Sequence, residues 1–81
     1  MRVAFVIVIV YGWVMTVGQR LKRARKAQGK TQAEIADELD RTQPTVSAWE
    51  TDEALPRTDE IRAVARVYRL RPEEILPPEA A

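Results

Sequence analysis

In the stretch TQAEIADELDRTQPTVSAWE, residues 31–50, a hydroxyl and an amide are paired twice, as Thr31-Gln32 and Thr42-Gln43, eleven positions apart. Each pair heads a run with helical spacing. A Thr hydroxyl so placed accepts from the free N–H groups of a first turn, so Thr31 and Thr42 cap helices whatever else they do. A Gln amide carries two N–H donors and one acceptor oxygen on a single plane, which suits it to hold an anion or to match a donor-acceptor edge. The chain has no cysteine and no histidine, which removes thiolate metal sites, disulfides, thiol nucleophiles and the usual neutral-pH general base. It shows no Gly-rich phosphate loop and no isolated carboxylate pair on an apolar face. The chemistry is therefore recognition by hydrogen bonds, not catalysis, and it requires no cofactor.

The elements that position these groups must come from one domain with one modest core, because the chain has 81 residues. Apolar residues at 46% and charged residues at 31% suit an ordered helical domain. The absence of cysteine favours an intracellular address. Net charge is only +1, yet it is segregated: residues 18–30 hold Arg20, Lys22, Arg23, Arg25, Lys26 and Lys30 without an acid, and residues 31–40 hold Glu34, Asp37, Glu38 and Asp40 without a base. Such a pattern makes either a local basic face or simply solvated helix surfaces.

From Gly18 onward the apolar spacing is helical. GQRLKRARKAQG reads as a first helix with Leu21 and Ala24 on the face of Val17 and Gln28, ended by Gly29. Thr31 and Glu34 form a capping box for a second, with Ile35, Ala36 and Leu39 inward. Asp40-Arg41 turn the chain, and Thr42 caps a third helix to about Glu50, with Pro44 in its first turn and Trp49 on the core side with Val46. After the loop TDEALPR, a fourth helix opens near Thr58 and buries Ile61, Val64, Ala65 and Tyr68; Pro72 starts a short fifth, and residues 77–81 are a fraying tail.

Two short helices joined by a turn of about three residues, with a small Ala36 to permit a close crossing, describe a helix-turn-helix. Such a unit lays its second helix in the major groove of duplex DNA and asks for short polar side chains in that helix's N-terminal half. RLKRARKAQGKTQAEIADEL, TQPTVSAWE and RAVARVYRLRPEEIL together resemble the Cro/C1-type (XRE) helix-turn-helix domain of phage repressors and small bacterial regulators, over residues 19–76. The resemblance implies an all-α, five-helix lambda-repressor-like fold. It further implies that Gln32 binds a backbone phosphate and braces Gln43, and that Gln43 reads a base, its amide matching adenine N6 and N7. Thr42 and Thr45 are then candidates for phosphate or base-edge contacts, Ser47 and Ala48 face the groove, and Pro44 touches a thymine methyl. Arg25 and Glu50 match a structural ion pair between the first and third helices. The plainer alternative makes Gln32 and Gln43 first-turn residues and Thr45, Ser47 and Ala48 small solvent-facing ones.

The chain departs from the family pattern at two places. Asp40 stands where a glycine is usual in the turn, and Asp tolerates left-handed geometry better than most residues. The loop after the third helix offers Asp52 and Glu53 where basic groups and glycine are usual; the acids would repel a nearby DNA backbone, leaving Arg57 and Arg41 to compensate.

Residues 1–17 are almost wholly apolar, and residues 3–19 hold no charge. Three readings compete: an upstream extension without a role, with Met15 as natural start; a membrane anchor, somewhat short against the usual span of about 20 apolar residues; or a dimerising or packing segment. The domain proper is expected over residues 18–76. The whole describes a small cytoplasmic transcriptional regulator that binds double-stranded DNA, as a homodimer on a palindromic operator, with membrane attachment through residues 3–19 as a further reading. The rival is a protein-interaction module, an antitoxin-like or membrane-tethered adaptor of weak DNA affinity.

Overall fold

A threonine opens each of the first three helices of the computed structural model, which describes residues 15–76. Thr16 caps α1 (Val17–Ala27), where its hydroxyl accepts from the Gln19 N–H at 3.1 Å and Gln19 reaches back to the Thr16 N–H at 3.0 Å. Thr31 and Glu34 form the same box on α2 (Gln32–Glu38). Thr42 caps α3 (Gln43–Glu50), with Pro44 in the first turn, where its missing N–H leaves no helix bond unmade. Each threonine cap satisfies an N–H group that would otherwise lack a partner, which lets helices of 11, 7 and 8 residues start sharply.

The helix ends are equally uniform. Gly29, Asp40, Asp52 and Arg69 adopt φ of 70°, 55°, 64° and 61° just past α1, α2, α3 and the last helix, α4 (Ile61–Tyr68). After each, the next N–H turns back to a carbonyl five residues earlier: Lys30 to Arg25 at 3.3 Å, Arg41 to Ala36 at 2.8 Å, Glu53 to Ala48 at 2.9 Å and Leu70 to Ala65 at 2.8 Å. This is the Schellman closure, and only the first uses the residue that adopts it without strain. Asp40 takes the left-handed conformation where the family has glycine.

Two elements differ from the sequence reading. The fourth helix opens as a separate 3-10 turn, Thr58–Glu60, because the Glu60 carboxylate accepts from the Arg57 N–H at 2.8 Å and closes that turn before Ile61 begins α4. The expected fifth helix is a single 3-10 turn, Pro72–Glu74. Pro72 has no N–H, and Pro77 and Pro78 follow after Ile75 and Leu76, which disfavours helical geometry at the residue before them. Ile75 nevertheless anchors this turn, at 1% exposure. Among the described residues there is no strand, and α1 starts at Val17 behind its Thr16 cap. No helix among them is long and apolar enough to cross a membrane. The apolar segment before Met15, with the readings attached to it, and the tail at 77–81 lie outside the described residues.

The helices meet on Leu21, Ile35, Val46, Val64 and Tyr68, all fully buried, with Ala36, Trp49, Ile61 and Ala65 around them. The 3-4 spacing of these positions is what turns one stripe of each helix inward. Leu39, expected inward, packs at the margin. α1 passes so near the end of α3 that a Cβ on Gly18 would lie 2.7 Å from the carbonyl oxygens of both Trp49 and Glu50 and 2.8 Å from Asp52 Oδ1. Asp52 closes this contact by accepting from the Gly18 N–H at 2.9 Å and the Thr16 hydroxyl at 2.6 Å.

A charged pair lies inside this packing. Arg25 and Glu50 are 8% and 5% exposed, and Arg25 Nε and Nη2 both reach the Glu50 carboxylate at 2.9 Å. Burial alone would raise the Glu50 pKa, but hydrogen bonds from Arg25, Gln32 and Tyr68, with the Arg25 charge, outweigh it and hold the carboxyl below its usual range. Arg25 moves upward, chiefly through its hydrogen bond to Glu50.

Two outcomes are expected. Gly18→Ala should lower stability by about 1–3 kcal/mol, since backbone must move to admit the methyl group; an unchanged thermal midpoint by circular dichroism would contradict the close approach. Because the folded Glu50 pKa is depressed, its stabilisation is complete above the ordinary glutamate value of about 4.3 and is lost as pH falls through the folded value. The gap in urea unfolding between wild type and Glu50→Gln should therefore be widest near neutral pH, on the order of 3–5 kcal/mol, and narrow in acid. A constant gap would remove the ion pair as its cause.

Candidate nucleic-acid interface

Three residues, Leu39, Asp40 and Arg41, link α2 to the Thr42 cap of α3. The turn can be this tight because Ala36 is small and buried where α2 meets α3, and because Asp40 accepts the left-handed conformation. Thr42, Gln43 and Pro44 consequently project from the start of α3 as exposed residues, while Thr45, Ser47 and Ala48 are half-buried along it. The Thr42 and Thr45 hydroxyls lie 3.0 Å apart and share a hydrogen bond. Val46 and Trp49 occupy the opposite, inward side.

Gln43 does not stand alone. Its Nε2 donates to Gln32 Oε1 at 2.6 Å, and Gln32 Nε2 donates to Glu50 Oε1 at 3.1 Å. Glu50 also accepts from the Tyr68 hydroxyl at 2.8 Å, in addition to the bonds from Arg25 Nε and Nη2. An exposed amide at the head of α3 is thus tied, through one amide on α2, to a buried carboxylate that touches α1 and α4 as well. Burial, and then the bond to Glu50, push the Tyr68 phenol far above its ordinary pKa, so it remains a proton donor across the whole physiological range. Sequence reasoning placed Tyr68 only in the core. The signal it missed is that a buried tyrosine hydroxyl needs a partner, which Glu50 supplies.

The basic candidates separate. The Arg41 guanidinium is paired with Glu60 and lies 5.5 Å from the Trp49 ring centroid, so it ties the α2-α3 turn to the start of α4. The Arg57 side chain is 73% exposed and pairs, among the described residues, with Asp59 at 3.0 Å, an exposed ion pair that contributes little. Of the two acids expected to repel a DNA backbone, Asp52 is hydrogen-bonded to the N-terminus of α1, where its charge faces the favourable end of the helix dipole. Glu53 stays exposed. Among the described residues no cluster of acidic side chains is arranged to hold a metal ion.

Residues 21–75 match the family model described as "Helix-turn-helix". Among curated proteins the chain is similar to the HTH-type transcriptional regulator ImmR of Bacillus subtilis (strain 168), with 34% identity over 62 residues; the match covers 76% of this chain and 49% of that protein. The chain thus spans about half the length of this relative. Among solved structures it is similar to the P22 c2 repressor protein in complex with the synthetic operator 9T, at 22% identity and a TM-score of 0.73, covering 76% of this chain and 94% of that one. That likeness shows the fold, lambda-repressor-like and all-helical. With the family model covering α2, the turn and α3 together, the chain belongs to the helix-turn-helix family of the Cro/C1 (XRE) type.

Proposed function

We propose that this protein is a non-enzymatic transcriptional regulator that binds double-stranded DNA in a sequence-specific way, with α3 in the major groove. The observation that carries the reading is the Gln43-Gln32-Glu50 relay: an exposed amide at the head of the second helix of a helix-turn-helix, held by buried chemistry instead of swinging in solvent. Pre-orienting a polar side chain before binding removes part of the ordering cost of the contact. Gln43 is the base reader, and adenine is the base whose major-groove edge matches a glutamine amide. Gln32 contributes a phosphate contact through the amide hydrogen that Glu50 does not use. Thr42 and Thr45 contact phosphate or base edges, Pro44 a thymine methyl, and Ser47 and Ala48 keep the groove side of α3 shallow. Arg57 supplies an exposed cation to the backbone, while Arg25 and Glu50 are scaffold.

A module of this size makes too few contacts for a tight specific site, so two copies on a palindromic operator are the natural assembly, acting in the cytoplasm. The rival, an interaction module that has lost DNA affinity, draws on the acidic loop, in which Glu53 stays exposed, and on the short side chains of Ser47 and Ala48. Asp52 does not support it, because that side chain serves α1.

Selection from random duplexes at roughly physiological salt, where non-specific phosphate binding is suppressed, is the direct test. Wild type should enrich a short palindrome, and Gln43→Ala should lose about 1–3 kcal/mol at that site by relaxing a single base position in each half-site. No enrichment from a folded sample would move the assignment to the interaction module.

A further inference from the structure

We propose that the groove between α1 and the segment running from the end of α4 through the last 3-10 turn binds a small phosphorylated ligand, a nucleoside diphosphate by chemical class. The groove has a volume of about 820 Å³, within the range of small-molecule sites. Four arginines line it, Arg20 and Arg23 from α1 and Arg69 and Arg71 from the other wall, against two glutamates, Glu73 and Glu74. The acids are taken up locally: Glu74 accepts from the Arg71 N–H at 2.8 Å, and Arg71 Nε lies 3.4 Å from Glu74 and 3.9 Å from Glu73. Arg20 Nη1 donates to the Glu74 carbonyl at 2.9 Å, which fixes that guanidinium at the groove with most of its N–H groups unspent. Arg23 and Arg69 enter no ion pair among the described residues, and Arg23 Nη1 reaches the Met15 sulfur at 3.5 Å.

Arg69 supports the assignment independently. Among the left-handed residues that close the helices, Gly29 adopts that conformation freely, Asp40 tolerates it and Asp52 clasps α1, whereas arginine at φ 61° has no short polar group to offset it locally. What the chain gains there is a guanidinium on the groove wall. Guanidinium groups match phosphate oxygens two at a time, so Arg20, Arg23 and Arg69 together suit a group with several oxygens and more than one charge. Ala24, Ala27 and Leu70 supply shallow apolar surface for a flat body. Gln28 lines the same groove; its Nε2 donates to the Val67 carbonyl at 3.2 Å, while its Oε1 is buried without a donor. An unpaired buried acceptor is costly, and a flat body bearing N–H groups removes that cost when the Gln28 side chain turns to meet it. A nucleobase joined to a diphosphate has all of these features. No residue of α2 or α3 lines the groove, so the site is separate from the strip between Thr42 and Ala48 and does not rest on the DNA-binding reading.

The test is isothermal titration of the full chain, without divalent metal, with ADP, GDP, pyrophosphate, adenosine and guanosine. At least one nucleotide should bind about tenfold or more tighter than pyrophosphate and than its own nucleoside. Arg23→Gln and Arg69→Gln should each weaken that nucleotide at least about fivefold with the circular-dichroism midpoint unchanged, whereas Arg57→Gln, outside the groove, should not. Gln28→Met should bring the nucleotide down toward the affinity of pyrophosphate and leave pyrophosphate itself unaltered. Absence of binding by both nucleotides up to ~1 mM overturns the site. Pyrophosphate binding as tightly as the nucleotides, or an equal loss in Arg57→Gln, also overturns it, leaving diffuse attraction to positive charge. Nucleotide binding untouched by Arg23→Gln and Arg69→Gln overturns it by placing the ligand elsewhere.

Discussion

A single buried carboxylate joins the four α-helices of the described residues. Glu50, the last residue of α3, accepts from Arg25 on α1, Gln32 on α2 and Tyr68 on α4. Burying a charge is unfavourable unless it is paired and hydrogen-bonded, and each of these donors is supplied by a different helix. The consequence is geometric: the helices pack so that three donors converge on one residue, and departures from that arrangement leave a charge stranded. In so small a core, this convergence contributes specificity to the packing that apolar contacts among Leu21, Ile35 and Val46 do not supply by themselves, because those contacts have no direction.

The same carboxylate connects scaffold to surface. Gln32 is both a partner of Glu50 and the neighbour of Gln43, so the exposed amide inherits its orientation from the interior. Around this centre the remaining polar groups are spent on holding elements in place. Asp52 clasps the start of α1, Arg41 joins the α2-α3 turn to Glu60, and Gly18 is bare because α1 and the end of α3 nearly touch. What remains outside these ties at the head of α3 is a short polar strip running from Thr42 to Ala48. That division between committed and uncommitted polar groups separates structural residues from candidate contacts better than residue type does. Arginine illustrates this: Arg25 and Arg41 are bound within the domain, and Arg57 is exposed.

Much of this was legible in the sequence wherever the controlling interaction is local. Capping by Thr31 and Thr42, the stop at Gly29, the tight Asp40 turn and the inward stripes of α2 and α4 all depend on residues within about one helical turn of each other, so their spacing carries the information. Thr16 followed by Gln19 is the same kind of signal, and it sets the start of α1 ahead of Gly18. The Arg25-Glu50 pair was anticipated through family resemblance rather than spacing. The family itself rests on the combination of three segments, each weak alone.

Tertiary structure decided what depends on distant residues. Tyr68 meets Glu50 across 18 positions, Arg41 meets Glu60 across 19, and Asp52 reaches Gly18 across 34. Composition gives these side chains many equivalent partners, and only the folded chain selects one. For that reason the sequence by itself determined the inward stripes of α2 and α4, the caps at Thr31 and Thr42 and the amides that head α2 and α3, but not the 3-10 turns at Thr58–Glu60 and Pro72–Glu74. The tertiary structure alone decided which acid caps a distant helix, which arginine is withdrawn from the surface, and which way an exposed amide points, because direction in a hydrogen-bonded relay is set by its buried end.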